Sequence, residues 1–273
     1  MSTLAHPAPP QPPELPEGAD PRPRWPWWHA FAAFAAGFIG ANVLATPVVL
    51  MATEDGDLTP AGALLSTLIL NAVLVGTAVG FAWITARPRA WHFGLTRTRF
   101  WPAVGWAALA YVAYIVFVVA YGLIVGAPEE QSTPEDVGAD EGTFGLVNAG
   151  LLFVVIAPIG EELFFRGFFY RALRSRLGIW AAALLAGGVF GAIHIFTGLE
   201  AVPVLAALGI ALCLVYERTG SLYPCIALHA INNSFAYAVT TDASPALAAA
   251  FGVPMILGCV MAPRLQRRVQ SRQ

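Results

Sequence analysis

The chain has 273 residues, of which 57% are hydrophobic and only 12% are charged, and its formal net charge is −2. Soluble globular domains carry about 25% charged residues, so this composition excludes an ordinary soluble domain and favours a membrane protein. All 15 basic residues are arginines that lie near apolar runs, and no separate basic patch indicates a nucleic-acid partner.

Eight apolar runs approach or exceed the roughly 17–25 residues that a helix needs to cross about 30 Å of hydrocarbon. They cover residues 28–51, 61–86, 101–125, 145–166, 179–197, 202–216, 221–240 and 245–262. The chain is therefore predicted to be an all-α, polytopic membrane helix bundle of about eight transmembrane helices.

Charge placement predicts the orientation of this bundle. With the gaps numbered by the eight runs, every arginine falls on one side of the membrane. The intervening gaps hold acidic residues such as Glu54, Glu129 and Glu200, and they contain no arginine. Because arginine-rich loops stay in the cytoplasm, both termini are predicted to be cytoplasmic.

Four regions follow from this map. A proline-rich tail at 1–24 is predicted to be disordered and cytoplasmic. Residues 25–143 form three N-terminal transmembrane helices and an acidic external loop, residues 144–263 form a C-terminal core, and residues 264–273 form a basic cytoplasmic tail.

The most informative residues are two adjacent glutamates at the end of the apolar run that begins at Phe144. Glu161 and Glu162 are followed by Arg166 at the fourth position after Glu162, on the same helix face. A carboxylate inside a bilayer costs about 2.5–3.5 kcal/mol on insertion scales, and such residues are usually functional.

Two later helices add polar side chains to this set. His194 belongs to the fifth predicted helix, and His229 belongs to the seventh. Asn233 lies four residues after His229, so the two side chains project from one helix face. Lipid offers these groups no partners, so we expect them to face each other or water within the bundle.

The residue types indicate hydrolysis by an activated water. Glu161 is the natural general base, and His194 would help to position the water. His229 and Asn233 would donate hydrogen bonds to an oxyanion that forms on a carbonyl. No serine or cysteine has an activating neighbour in the set, so a covalent acyl-enzyme is not expected.

A metal ion is the other route to an activated water. One glutamate and two histidines, here Glu161, His194 and His229, form the ligand set of several catalytic zinc sites. The His-Glu-x-x-His spacing of many zinc proteases is absent from the sequence. Both the zinc route and the metal-free route stay open at this point.

Depth along the fifth helix raises a geometric question. His194 lies about 15 residues into its predicted helix, or about 22 Å, whereas Glu161 and His229 lie nearer the cytoplasmic side. The sequence therefore predicts either a helix that begins outside the hydrocarbon or a bend at Gly187-Gly188.

Three motifs occur in order on successive predicted helices: Glu161-Glu162-x-x-x-Arg166, Phe190-x-x-x-His194 and His229-x-x-x-Asn233. This set resembles the CPBP family, which comprises the type II CAAX prenyl endopeptidases and the bacteriocin-processing and immunity intramembrane proteases. The resemblance covers roughly residues 145–240 and implies an intramembrane endopeptidase, of either the metallo or the glutamate type.

By this resemblance, Glu161 and His194 activate water, His229 and Asn233 stabilise the oxyanion, and Glu162 with Arg166 supports the site. The implied substrate is a membrane-associated peptide or protein, and the surroundings are the lipid bilayer. An arginine-rich, lysine-free composition suggests the cytoplasmic (inner) membrane of a bacterium.

Two other functions compete with this interpretation. A non-catalytic immunity or scaffold protein would keep the same motifs for binding a partner. A proton-coupled transporter would use the acids as a relay, but the sequence contains no convincing internal repeat of the kind common in transporters.

Overall fold

The computed structural model of the chain describes residues 25–54, 57–126, 138–140, 142–241 and 244–270. The predicted disordered tail at 1–24 and most of the predicted acidic loop at 127–143 lie outside the described residues. The last three residues of the predicted basic tail also lie outside them.

The described residues form eight successive helices: α1 (Trp28–Ala52), α2 (Pro60–Thr85), α3 (Phe100–Val125), α4 (Gly142–Arg174), α5 (Ile179–Ala192), α6 (Ala201–Thr219), α7 (Tyr223–Thr240) and α8 (Pro245–Gln270). Short 3₁₀ turns lie at Ala90–Phe93 and Ile195–Thr197. Two-residue strands, β1 (Thr53–Glu54) and β2 (Asp57–Leu58), pair antiparallel between α1 and α2. The predicted helix bundle is confirmed.

Among the described residues, six helices are long and apolar enough to cross a membrane by length and composition: α1, α2, α3, α4, α6 and α8 as far as Arg264. The protein is therefore a multi-pass membrane protein. Helix α5 has only 14 residues, and the 18-residue α7 carries polar His229, Asn232 and Asn233. The cytoplasmic orientation of the termini stays a prediction.

Helix α4 is central, because it contacts α1, α2, α5, α6, α7 and α8. Its backbone changes pitch twice, with π-helical segments at Leu151–Ile156 and Leu163–Tyr170 on either side of the α-helical turn Ala157–Glu162. The first π segment ends beside Pro158, which has no N–H to donate to the carbonyl four residues earlier. The Glu161-Glu162 pair thus lies in one α-helical turn between two π-helical segments, which occur frequently at functional sites.

Helix α5 ends at Ala192, so the predicted extension of this helix to residue 197 is wrong. The chain turns at Ile193 and His194 before the short 3₁₀ turn. Since 14 residues span about 21 Å, His194 lies just beyond the end of α5 and still about 21 Å from its start. The two explanations of its depth, a start outside the hydrocarbon and a bend at Gly187-Gly188, stay predictions.

Small residues let α5 pack closely on α6. A Cβ placed on Gly187 would lie 2.8 Å from the carbonyl oxygen of Ala206, and one on Gly191 would lie 2.5 Å from that of Val202. Close backbone approach at glycine is a common way to pack helices in membranes. Gly188 faces away from α6, and a Cβ placed on it would have no atom within 4 Å.

The segment between α2 and α3 docks onto the turn between α6 and α7. Leu222 donates its backbone N–H to the carbonyl of Gly94 at 2.7 Å, and the Ser221 hydroxyl donates to the carbonyl of Thr96 at 2.6 Å. The Thr96 hydroxyl in turn donates to the carbonyl of Gly220 at 2.9 Å. These bonds fix the start of α3 beside the start of α7.

Candidate active site

A buried ion pair on α4 forms the base of the site. The Arg166 Nη1 atom lies 2.7 Å from Glu162 Oε1, and the two side chains are 1% and 0% exposed. Arg166 Nη2 also donates to the backbone carbonyl of Gly209 on α6 at 3.0 Å. The structure shows the pairing that the four-residue spacing predicts, and it links α4 to α6.

The same Glu162 carboxylate binds a histidine from α7. His229 Nδ1 lies 2.8 Å from Glu162 Oε1, and the His229 side chain is 3% exposed. Because an ionised carboxylate only accepts hydrogen bonds, Nδ1 carries the hydrogen. In a ring that carries only this hydrogen, the other nitrogen, Nε2, is an acceptor with a lone pair.

Glu161 faces this second nitrogen. Its Oε2 atom lies 3.9 Å from His229 Nε2, and its side chain is 17% exposed. This distance is too long for a direct hydrogen bond, and a polar contact of this length suits a bridging water. Adjacent glutamates therefore differ sharply: Glu162 is buried and paired, whereas Glu161 is partly open.

The ring of Phe190 connects the remaining groups. It lies 4.7 Å from the Arg166 guanidinium carbon, and its centroid is 5.7 Å from that of His229 and 4.9 Å from that of His194. Half-buried His194 places Nδ1 2.7 Å from the Phe190 carbonyl oxygen. A carbonyl only accepts, so Nδ1 of His194 carries a hydrogen, and in a ring with one hydrogen Nε2 is again an acceptor.

Asn233 lies one turn beyond His229 and joins α7 to α4. Its Nδ2 atom donates to the backbone carbonyl of Phe153 at 2.9 Å, within the first π segment. Its Oδ1 accepts from Asn232 at 3.4 Å. One of the two Nδ2 hydrogens is thus engaged in helix packing. Asn233 is half-buried and is held beside the network of Glu162, Arg166 and His229 rather than within it.

The donor set contains residue types that bind zinc. Both imidazoles present a lone pair on Nε2 and use Nδ1 toward an acceptor, which is common among zinc ligands. The spacing does not fit, however: among the described residues, no three His, Cys, Asp or Glu side chains are grouped closely enough to hold a metal ion. Glu161, His194 and His229 are therefore not assembled as the predicted zinc trio in this arrangement.

Two contacts next to the site were not predicted from the sequence. The carbonyl of Gly209 accepts from Arg166, and no side-chain pattern reports such a backbone acceptor. Gly160 packs against Asn71 of α2, since a Cβ on Gly160 would lie 1.9 Å from Asn71 Oδ1. The glycine directly before Glu161 was the available signal for this close approach.

Comparison with known proteins places these residues in a family context. Residues 143–235 match the model of the Rce1-like family, described as type II CAAX prenyl endopeptidase Rce1-like. That segment contains Glu161, His194, His229 and the other predicted site residues. The predicted resemblance to the CAAX prenyl endopeptidases is confirmed over this segment.

One curated relative comes from Bacillus subtilis (strain 168) and carries the name "Uncharacterized protein YyaK". The two sequences are 29% identical over 141 residues, which is 47% of this chain and 45% of the relative. The chain thus spans less than half the length of that relative. No solved structure matches the chain.

Proposed function

We propose that the protein is an intramembrane endopeptidase that hydrolyses peptide bonds of membrane-associated proteins or peptides. The observation that carries this proposal is the pairing of Glu161 Oε2 with His229 Nε2 across 3.9 Å, where His229 is held by Glu162. The match of residues 143–235 to the Rce1-like endopeptidase family supports the same class of reaction.

The two glutamates take different roles. Glu162 is fully buried and already binds Arg166 and His229, so it orients the histidine as the aspartate does in a catalytic triad. Glu161 is partly exposed and faces His229 across a gap, so it is the carboxylate that a water and a substrate can reach. We therefore assign the general base to Glu161.

The space between Glu161 Oε2 and His229 Nε2 suits a water better than it suits an oxyanion. Glu161 Oε2 and the neutral His229 Nε2 are both acceptors, and a water has two hydrogens to donate. The sequence assigned His229 to the oxyanion, but a neutral ring with its hydrogen on Nδ1 has none on Nε2. We assign His229 to holding the water. Nε2 of His194 is also an acceptor, and both hydrogens of this water are already engaged, so His194 is not assigned a bond to it.

In the proposed reaction, Glu161 takes a proton from the water while the water oxygen attacks the peptide carbonyl carbon. The second hydrogen on Asn233 Nδ2 donates to the carbonyl oxygen as it gains negative charge. The protonated Glu161 then gives its proton to the leaving nitrogen, and the C–N bond breaks. The products are one carboxylic acid and one amine, which become a carboxylate and an ammonium by proton transfer, and the steps use only protein groups and water.

The bacterial cytoplasmic membrane is the proposed location. Support comes from the six apolar helices, the segregation of arginines and the similarity to a Bacillus subtilis protein. The orientation with both termini inside would place the arginine-rich ends of α4 and α6 at the cytoplasmic surface. The substrate is then a peptide segment that reaches the site from that surface.

The proposal is tested with full-length protein in proteoliposomes that also hold membrane proteins from cells lacking the gene. Digestion in H₂¹⁸O followed by mass spectrometry should reveal new carboxyl termini that carry ¹⁸O. Glu161→Gln should lower their formation by about 10²–10⁴-fold, the usual range for a lost general base. Exposed Glu200→Gln, which removes a charge outside the site, should retain full activity.

Two results would overturn the proposal. Undiminished cleavage by the Glu161→Gln variant would show that Glu161 is not the general base. A folded wild-type protein that generates no new termini would favour the non-catalytic scaffold.

A further inference from the structure

A concave surface lies between α3, α7 and α8. It encloses about 540 Å³, within the roughly 300–1,000 Å³ of typical ligand sites. Its walls are apolar positions spaced three or four residues apart on each helix, including Val104, Ala108, Tyr111, Leu228, Ile231 and Val260. We call this surface the α3–α8 groove.

Positive charge gathers at one end of the groove. Arg97, Arg99 and Arg264 line it, and no acidic residue is among the described residues that do. Arg99 and Arg264 are exposed, and Arg97 is half-buried. The groove also opens where α3 and α7 begin, and neither helix has an acidic residue in its first turn to offset the positive end of its dipole.

The length of the groove matches one leaflet of a bilayer. From Arg99 to Tyr111 along α3 is about 18 Å, and half of the hydrocarbon thickness is about 15 Å. The arginines lie at the end that charge placement assigns to the cytoplasmic surface. The groove therefore has a cationic end at headgroup level and an apolar length below it.

The groove is separate from the candidate active site. Leu228 and Ile231 of α7 line it, whereas the intervening residue His229 points to Glu162 on α4. On the α3 wall, Phe100 and Val104 are 46% and 43% exposed, so the groove opens sideways toward the surrounding lipid.

We propose that the α3–α8 groove binds an anionic phospholipid, with the phosphate at Arg99 and Arg264 and one acyl chain along α3. Basic pockets between transmembrane helices on the cytoplasmic side suit anionic headgroups. A peptide occupant would need partners for its backbone groups at membrane depth, and the walls offer few. An acyl chain has no such need.

The test titrates full-length protein in neutral detergent with phosphatidylglycerol or with phosphatidylcholine of the same acyl chains. Native mass spectrometry counts the bound lipids, and thermal unfolding gives Tm. Phosphatidylglycerol should bind and raise Tm, whereas phosphatidylcholine should have little effect.

Charge and shape variants make the test specific. Removing one arginine should weaken phosphatidylglycerol binding roughly fivefold, and Arg99→Gln with Arg264→Gln should weaken it roughly 30-fold. Arg87→Gln with Arg176→Gln makes the same charge change at exposed positions outside the groove and should leave binding intact.

A large side chain in the groove tests the place of the acyl chain. Ala108→Phe should displace the lipid, and Ala113→Phe, at an exposed α3 position outside the groove, should not. Equal stabilisation by both lipids, or unchanged binding in the double-arginine variant, would overturn the proposal. So would cross-linking from Ala108→Cys to a peptide segment or to a second copy of the chain.

Discussion

His229 Nδ1 lies 2.8 Å from Glu162 Oε1, in a contact between α7 and α4 that is almost fully buried. This hydrogen bond selects the tautomer of the histidine: in a ring with one hydrogen, that hydrogen lies on Nδ1 and Nε2 is an acceptor. Nε2 then faces Glu161 rather than acting as a donor. Glu162, which is buried and bound to Arg166, thus leaves Nε2 of His229 as the ring atom that Glu161 faces.

Loss of Arg166 should destabilise the protein strongly. Arg166→Ala leaves the fully buried Glu162 charge without its cation, and breaking a buried pair in this way costs about 3–5 kcal/mol. Arg176→Ala removes an exposed arginine of the same region and should change stability little. Unfolding in a mixed-detergent titration measures both variants, and equal stability of the two would contradict the structural role of the ion pair.

Adjacent glycines on α5 should respond in opposite ways to alanine. Gly187→Ala places a Cβ against the α6 backbone and should cost about 1–3 kcal/mol as an overpacked contact. Gly188→Ala meets no atom within 4 Å and should be neutral or stabilising by up to roughly 1 kcal/mol. Thermal unfolding of the pair gives the comparison. Similar losses at both positions would mean that α5 and α6 are not packed through Gly187.

Metal removal should leave activity unchanged. No three ligand side chains are grouped among the described residues, and the proposed steps use only protein groups. Incubation with 1,10-phenanthroline followed by gel filtration should therefore preserve hydrolysis, and elemental analysis of active protein should find zinc well below one ion per chain. Loss of activity that returns with added zinc would instead require the site to rearrange around a metal.

Orientation in the membrane can be tested at two exposed positions. Arg87, just after α2, is predicted to be cytoplasmic, and Asp140, just before α4, is predicted to be external. A membrane-impermeant maleimide applied to intact cells should label Asp140→Cys and should label Arg87→Cys only after permeabilisation. The reverse pattern would invert the topology and move the α3–α8 groove to the outer leaflet.

The sequence predicted the helix order and the partners that lie close along one helix. Hydrophobic run length found eight segments, and the four-residue spacing found the Glu162–Arg166 pair, because both depend on local geometry. The end of α5 was missed, since Ile193 and Phe196 continue the apolar run and nothing local marks the turn at His194.

Contacts between helices were harder to predict. The sequence could not tell which glutamate would bind His229, because one residue along a helix changes the direction of a side chain by about 100°. The π-helical segments of α4 change that direction again on both sides of the pair. The hydrogen bond from Arg166 to the carbonyl of Gly209 could not be predicted for a different reason. Every residue carries the same backbone acceptor, so the residue type gives no signal.

The most direct measurement is a double-mutant cycle on hydrolysis with Glu161→Gln and His229→Asn. The asparagine amide can still donate to Glu162, as Nδ1 does, but it lacks the acceptor at Nε2. If Glu161 and His229 act on one water, each single variant should lose about 10²–10⁴-fold in rate, and the double variant should lose little more. Losses that multiply, or full activity in either single variant, would contradict the shared water.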